Sequence, residues 1–410
     1  MKKLLLVLLI LSLFINHLNA NEKDLNIIQK DKKEYRLLEK ESIQTRQQSQ
    51  KYDWISPIDL SGNIGRNHSF SDENSRNLNN KNTKSASIGF TQSIFESGGI
   101  GFKMDYADNR FKYEMLSCEN QNSQLIYTIY NTLLDIKKLK LEINQNDYRI
   151  VNKDIELIIK KIQYEAGKTD IIELNNAIMS KNLILKEEIA LKNSLKEKEQ
   201  ELAKYTDLKY DEIEILDFQE TNKDIFLDKN YSILEADAKV EMLNSEYKIK
   251  KSQYLPKFSL SAKARYSNQD EKFNSMINDT NKDDATSSGS LILSMPLYDY
   301  TKSSKIQESK IEVLKQKALV NDLKNETAFE YEQIFTKIDT YLKQNETINK
   351  NIKLYEELIG ANKISSEAGM TSKYDLEILE NTKTINEFDI LINKINILQQ
   401  YAKLYFKIKN

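Results

Sequence analysis

Glu367-Ala368-Gly369-Met370-Thr371-Ser372-Lys373-Tyr374-Asp375 has a counterpart about two hundred residues earlier, Glu165-Ala166-Gly167-Lys168-Thr169-Asp170-Ile171-Ile172-Glu173. Both begin Glu-Ala-Gly, place a polar residue three positions after the glycine and reach a carboxylate at the sixth. A long apolar-periodic segment runs into each glycine and another leaves it. Glycine after such a run ends a helix, because it takes the left-handed conformation without strain. Asp170 and Ser372 suit the N-cap of the outgoing helix, and Glu173 and Asp375, three residues on, stand where a capping-box partner would. Each stretch is expected to form a tight helical hairpin, with turns at Gly167 and Gly369.

The duplication extends outward from the hairpins. Asp59-Leu60-Ser61 answers to Ser259-Leu260-Ser261, and Ile94-Phe95-Glu96 to Leu297-Tyr298-Asp299, again about two hundred residues apart. The expected organisation is a signal peptide over 1–20 and two structural repeats, 21–215 and 216–410, each in the order helix, strand pair, helical hairpin. Lys2-Lys3, the apolar Leu4 to Ile15 and Leu18-Asn19-Ala20 supply the positive region, core and cleavage site of such a signal. About twelve apolar residues are too few to cross a bilayer as a helix. No later run reaches eighteen apolar residues, so any membrane span would be built of β-strands.

Composition narrows the function. The 410 residues carry 60 Lys and Arg against 62 Asp and Glu, so no excess charge recommends nucleic acid as a partner. With 10 glycines and 3 prolines the chain is poor in loop formers, and its 30% charged content suits long helices. Cys118 stands alone, so no intramolecular disulfide forms. The two histidines are His17, which leaves with the signal, and His68, so no Cys/His metal spacing exists. Gly98-Gly99-Ile100-Gly101 lacks the Gly-Lys-Ser/Thr ending of a phosphate loop and reads as a strand-to-helix corner. No nucleophile–base pair is suggested by spacing. Catalytic, cofactor-binding and metal residues are therefore expected to be none, and the protein is not read as an enzyme.

Two strand pairs are written as period-two alternation. Ile58, Leu60, Gly62 and Ile64 alternate with polar residues, as do Ala86, Ile88, Phe90, Gln92 and Ile94. In the second copy Phe258, Leu260, Ala262, Ala264 and Tyr266 face one way, and Leu291, Leu293, Met295 and Leu297 repeat the pattern. Polar segments, Asn67 to Thr83 and Ser267 to Ser287, read as the connecting loops. Asn21 to Lys51 reads as a helix. Ile129, Ile136, Ile143, Ile150, Leu157 and Tyr164 recur every seven residues, as do Ile334, Tyr341, Ile348 and Tyr355. A second seam, Ile338, Ile352 and Ile359, is interrupted by Asn345. Such a period suits coiled-coil packing, and a helix from Thr301 to Glu367 would be roughly 100 Å long.

Together these parts resemble the TolC-type outer-membrane efflux family over nearly the whole chain after the signal. Tyr254-Leu255-Pro256 opening a strand, Met295-Pro296-Leu297-Tyr298-Asp299 closing one, Gln92-Ser93-Ile94-Phe95-Glu96 and the two Gly-x-x-polar-x-x-acid hairpins carry the resemblance. It implies a mostly α fold with β: long coiled-coil helical hairpins plus four transmembrane β-strands per chain, three chains closing a shared α-barrel and β-barrel. It implies a homotrimer in outer-membrane lipid, with a periplasmic helical region that meets a periplasmic adaptor and an inner-membrane pump. As the exit duct of a tripartite efflux or type I secretion system, it would pass drugs, metal ions or proteins. Glu173 and Asp375 would then line the inner mouth as gate or selectivity residues. The aromatic and arginine that lock the mouth in better-known members correspond here to Ser366 and Thr371, so that lock is absent or built differently. Two other readings compete. A secreted or periplasmic coiled-coil scaffold leaves the duplicated strand pairs unexplained, and a pump adaptor needs one hairpin rather than two.

Overall fold

The structure, a computed structural model of the chain, describes residues 24–69, 79–216, 218, 220–270, 282–367 and 372–409. The expected signal at 1–20, Gly369 and Thr371 lie outside the described residues. After a short 3-10 turn, Asp24–Ile27, come α1 (Lys30–Tyr52), β1 (Asp59–Ser69), β2 (Asn79–Phe95), α2 (Gly99–Glu165) and α3 (Ile171–Leu202). An irregular stretch leads to α4 (Lys223–Asp228), followed by α5 (Tyr231–Ser252), β3 (Lys257–Asp270), β4 (Lys282–Ser294), α6 (Lys302–Glu367) and α7 (Lys373–Lys407). The helix expected from Asn21 thus starts at Lys30, and the long helix of the second half is continuous over 66 residues. No described helix is long and apolar enough to cross a membrane.

The chain folds as two compact units, each drawing on both halves of the sequence: Met1–Lys40, Leu116–Leu234 and Asn321–Asn410 in one, Glu41–Met115 and Glu235–Val320 in the other. The first is helical. Its core gathers Ile129, Leu133 and Ile136 of α2, all without exposed surface, around Phe218 and Phe406. Tyr130 stacks on Phe406 at 5.5 Å between ring centroids and meets Phe218 edge-on at 5.8 Å. Phe218 and Ile213 come from the irregular stretch before α4, and Phe226 of α4 fills a second cluster with Ile334, Ile338 and Leu404. Burying one such aromatic ring contributes on the order of 2–3 kcal/mol, so this aperiodic segment holds the unit together. The chain end is strapped in place: Lys409 N–H donates to the Lys229 carbonyl at 2.8 Å, and Ser123 Oγ donates to the Phe406 carbonyl at 2.6 Å.

The seven-residue seams are only partly the buried ones. Along α2, Ile129 and Ile136 are buried, Ile143, Ile150 and Leu157 are half-buried, and Tyr164 is exposed. Gln145, Asn146, Asn152 and Ile155 take the buried places instead. A strict heptad drifts about 20° per repeat on a helix of 3.6 residues per turn. Over five repeats the drift carries the seam off the contact face. Polar groups buried there need partners, and apart from Asn146 Oδ1 they find them across the helices. Gln145 Nε2 donates to Asp389 Oδ1 at 2.7 Å, Asn381 Nδ2 to Asn152 Oδ1 at 2.9 Å, and Asn393 Nδ2 to Asn345 Oδ1 at 2.9 Å. Asn345, which interrupts the apolar seam in the sequence, is one half of such a rung.

The second unit holds one four-stranded antiparallel sheet in the order β1-β2-β3-β4. Its strands are longer than the alternation alone predicts. β1 runs to Ser69, β2 starts at Asn79, β3 runs to Asp270 and β4 starts at Lys282, all inside segments read as loops. Pairing with neighbours extends them where side-chain pattern gives no signal. β4 also ends at Ser294, so Met295 and Leu297 lie beyond it.

Candidate functional site: a two-faced sheet and the hairpin turns

Register assigns every strand residue to a face, since directly paired residues share a side. Leu60, Ile88, Ala264 and Ser287 form one row; Gly62, Ala86, Tyr266 and Ala285 form the next. In the other direction follow Phe90, Ala262 and Gly289, then Gln92, Leu260 and Leu291, then Phe95, Phe258 and Leu293. This face is apolar over five rows, and its large side chains are open: Leu60 is 79% exposed and Leu291 65%. The opposite face is mostly Ser, Thr and Gly, with Asp59, Lys263, Arg265 and Ile292 among them. There Ser61 Oγ lies 2.8 Å from Ser87 Oγ, Thr91 Oγ1 donates to Ser261 Oγ at 3.1 Å, and Ser93 Oγ lies 3.3 Å from Ser259 Oγ. β1 and β4 are edges with no further partner among the described residues.

One residue breaks the alternation. A bulge between Ser93 and Phe95 brings Phe95, not Ile94, opposite Phe258, with ring centroids 6.0 Å apart. An extra residue in one strand shifts every side chain beyond it to the other face. Gln92, which sequence places on the apolar face, closes the strand entry there: its Nε2 donates to the Trp54 carbonyl and its Oε1 accepts from Ser56 N–H, both at 2.9 Å.

The motifs that carry the family resemblance build the strand-to-helix corners. Ser97, at φ 51°, donates from Oγ to the Pro256 carbonyl at 2.7 Å. Gly98 follows at φ 86°. A Cβ on Gly99 would lie 2.8 Å from Ser252 Oγ, so the helix start closes on α5 only with glycine there. Glu96 accepts Gly99 N–H on its carbonyl at 2.8 Å and pairs with Lys103 at 2.9 Å. Burial alone would raise its carboxyl; hydrogen bonds and charge from Lys103 outweigh this and hold it below the ordinary value. In the second copy Asp299 Oδ1 accepts the Thr301 N–H at 2.8 Å and its hydroxyl at 2.7 Å, opening α6, and also takes a hydrogen bond from Tyr254. The acid of each motif is a helix-start group, and Tyr254 of Tyr-Leu-Pro is tied to it.

At the first hairpin Gly167 has φ 68°. Lys168 N–H donates to the Gln163 carbonyl at 2.8 Å and Gly167 N–H to the Tyr164 carbonyl at 2.9 Å, the paired bonds of a glycine-terminated helix. Asp170 caps α3, its Oδ1 accepting Glu173 N–H at 2.9 Å. Glu173 does not complete the box. Its carboxylate takes Lys160 Nζ at 2.9 Å instead. At the second hairpin Ser372 caps α7 through Tyr374 N–H at 3.2 Å. Asp375 is exposed and has no ion pair among the described residues. The two acids, equivalent in sequence, thus differ in charge compensation. The hydrogen bond between Asn152 and Asn381 lies about 20 Å by helix rise from the end of α2 and about 12 Å from the start of α7. The C-terminal end of α2 and the N-terminal end of α7 therefore stand at one end of the helical unit.

Residues 224–403 match the family model described as outer membrane efflux protein. No curated protein matches the chain. Among solved structures, the outer membrane protein VceC of Vibrio cholerae is similar with a TM-score of 0.71 at 12% identity, covering 91% of this chain and 90% of that one. The CmeC outer membrane channel of Campylobacter jejuni follows at 0.70 and 12%, covering 92% and 84%. The MtrE outer membrane channel of Neisseria gonorrhoeae, solved in its open state, gives 0.67 and 11%, covering 91% and 85%. These identities speak for fold. The match to the outer membrane efflux protein model covers residues 224–403, under half of the 410-residue chain, and likens that segment to the family.

Proposed function

We propose that this protein is the exit duct of an efflux or type I secretion system, assembled from three copies in the outer membrane. The observation that carries this reading is the sheet. It has one open apolar face, one hydroxyl-rich face and two edges unpaired among the described residues, a combination that is unfavourable in water and, unclosed, in lipid. Closure by further copies satisfies both faces and both edges. From Phe258 to Tyr266 the apolar rows span about 27 Å along β3; at a tilt of about 40° this makes a band roughly 21 Å tall, near the height outer-membrane barrels use. Lys84 and Arg66 lie beyond it on the same face, so the polar ends of β1 and β2 stand outside the hydrocarbon.

On this reading residues 21–215 and 216–410 are the two repeats, each giving one strand pair and one hairpin. The long helices run through the periplasm, and an adaptor and an inner-membrane pump meet the hairpin end. Glu173 and Asp375 face the inner mouth, with Asp375 supplying most of the uncompensated negative charge, because Lys160 already neutralises Glu173. A scaffold would have no use for a two-faced sheet. Mass measurement of the detergent-extracted particle tests the assembly: three chains are expected, and a stable monomer, or release of the protein from membranes by carbonate or urea, overturns it.

A further inference from the structure

We infer that the barrel carries its own charge filter, opposite in sign to the inner mouth: Lys263 and Arg265 form cationic rings in the lumen that favour anions. The inference rests on the trimeric-barrel reading above. Register puts both residues on the hydroxyl-lined face of β3, two positions apart. Lys263 shares its row with Gly89 and Ser288, and Arg265 with Ser87 and Thr286. Every adjacent side chain in those rows is short and neutral, so the two long basic side chains are the features that reach furthest from that face. Both are exposed, and neither has an ion pair among the described residues.

The carboxylates of the same face are Asp59 and Asp284. Asp59 lies in the Lys263 row but two strands away, across Gly89, about 10 Å between backbones. Asp284 pairs with Ser267, one row beyond Arg265. Both acids are short and stay near the wall. Lys257, at the base of β3, adds a third cation to that face, so positive charge exceeds negative among the described side chains. Threefold closure turns Lys263 and Arg265 into two rings about 7 Å apart along the strand. Rings of Lys and Arg in a narrow passage concentrate anions. The ligand class this implies is a small multivalent anion, phosphate-like or carboxylate-rich.

The test uses the full-length protein in planar bilayers under a KCl gradient, with tripolyphosphate added from the barrel side as probe. Removing a luminal potential of about half to one kT should raise the cation-to-anion permeability ratio about three- to sevenfold. Lys263→Ser with Arg265→Ser should show that rise and lose block by tripolyphosphate, while Asp59→Asn should move the ratio the other way. Lys263→Gln with Arg265→Gln, which keeps more of the side-chain length than serine and removes the charge, is read identically if the serine pair does not assemble. Variant channels whose ratio and tripolyphosphate block equal wild type overturn the filter and leave the barrel standing. Absence of channels from the wild-type particle overturns both, and its mass tells the two failures apart.

Discussion

Arginine placed on either side of β3 should separate the two faces of the sheet by energy. Ala262 sits in the middle of the five apolar rows, between Phe90 and Gly289. Ser261, its neighbour in the chain, lies in the hydroxyl rows opposite Thr91 and Ser290. An arginine at the middle of a lipid-facing band costs about 2–4 kcal/mol, so Ala262→Arg should lower the folding equilibrium constant about 30- to 700-fold. Leu260→Arg, one row from the middle, should cost less. Ser261→Arg forfeits the hydrogen bond from Thr91, about 0.5–1.5 kcal/mol, and otherwise joins Lys263 and Arg265 in water. Unfolding by urea in lipid vesicles reads the difference. Trp54, the single tryptophan, reports on the sheet entry because Gln92 on β2 holds its carbonyl. Equal midpoints for Ala262→Arg and Ser261→Arg, or the reverse order, would refute the face assignment.

Gly167 has open space where a Cβ would stand but φ of 68°, so Gly167→Ala should destabilise the first hairpin by about 1–2 kcal/mol through backbone strain alone. Gly167→Asn should cost less, as hydrogen exchange at the amides of Lys168 and Gly167 would record; equal effects of Ala and Asn would discount the strain. Burial would raise the Glu330 carboxyl, but Lys403 at 2.8 Å and Lys407 at 2.6 Å outweigh it and hold it below its ordinary 4.5. A depressed acid stabilises above its unfolded value and loses that contribution as pH falls through the folded one. Unfolding midpoints should therefore drop below about pH 4.5, and Glu330→Gln should cost about 1–3 kcal/mol at neutral pH and flatten the acid limb; an unchanged limb counts against the cluster. At the inner mouth, Asp375→Asn should lower cation preference about two- to threefold and Glu173→Gln by less, because Lys160 compensates Glu173. If the assembled Glu173→Gln, Asp375→Asn variant keeps the wild-type permeability ratio, the acids only start their helices.

The parts legible in the sequence are those in which local chemistry decides the conformation. The turn at Gly167 needs a left-handed residue, and Asp170 and Ser372 bond the first free amides of their own helices, so each is written within a few residues. The sheet faces were legible for the same reason, since alternation is local. The bulge at Ile94 was not, because it exists only against Phe258 of a strand more than 150 residues away. Nor were the polar ends of the strands, where Asn79 to Lys84 carry no alternation and pairing alone keeps them extended. Ile213, Phe218 and Phe226 lie in a stretch with no period, and nothing in it marks them as core. At the candidate mouth Glu173 and Asp375 are equivalent in sequence. Lys160, thirteen positions before Glu173 across a turn, makes them unequal.

The buried polar rungs of the helical unit answer a problem that apolar heptads create. A seam of isoleucines repeating every seven residues packs nearly as well after one helix slides by a heptad, about 10 Å. Long helices with such seams have several registers of similar energy. A buried amide has only one. Sliding α7 along α2 would separate Gln145 from Asp389 and Asn152 from Asn381, and sliding it along α6 would separate Asn393 from Asn345. Each buried group left unpaired costs about 1–3 kcal/mol, so a slip is opposed at several points together, by more than the apolar contacts distinguish. The rungs stabilise little against an apolar alternative, but they select one alignment. With Asn152 bonded to Asn381, the C-terminal end of α2 and the N-terminal end of α7 are held within about 8 Å of level by helix rise.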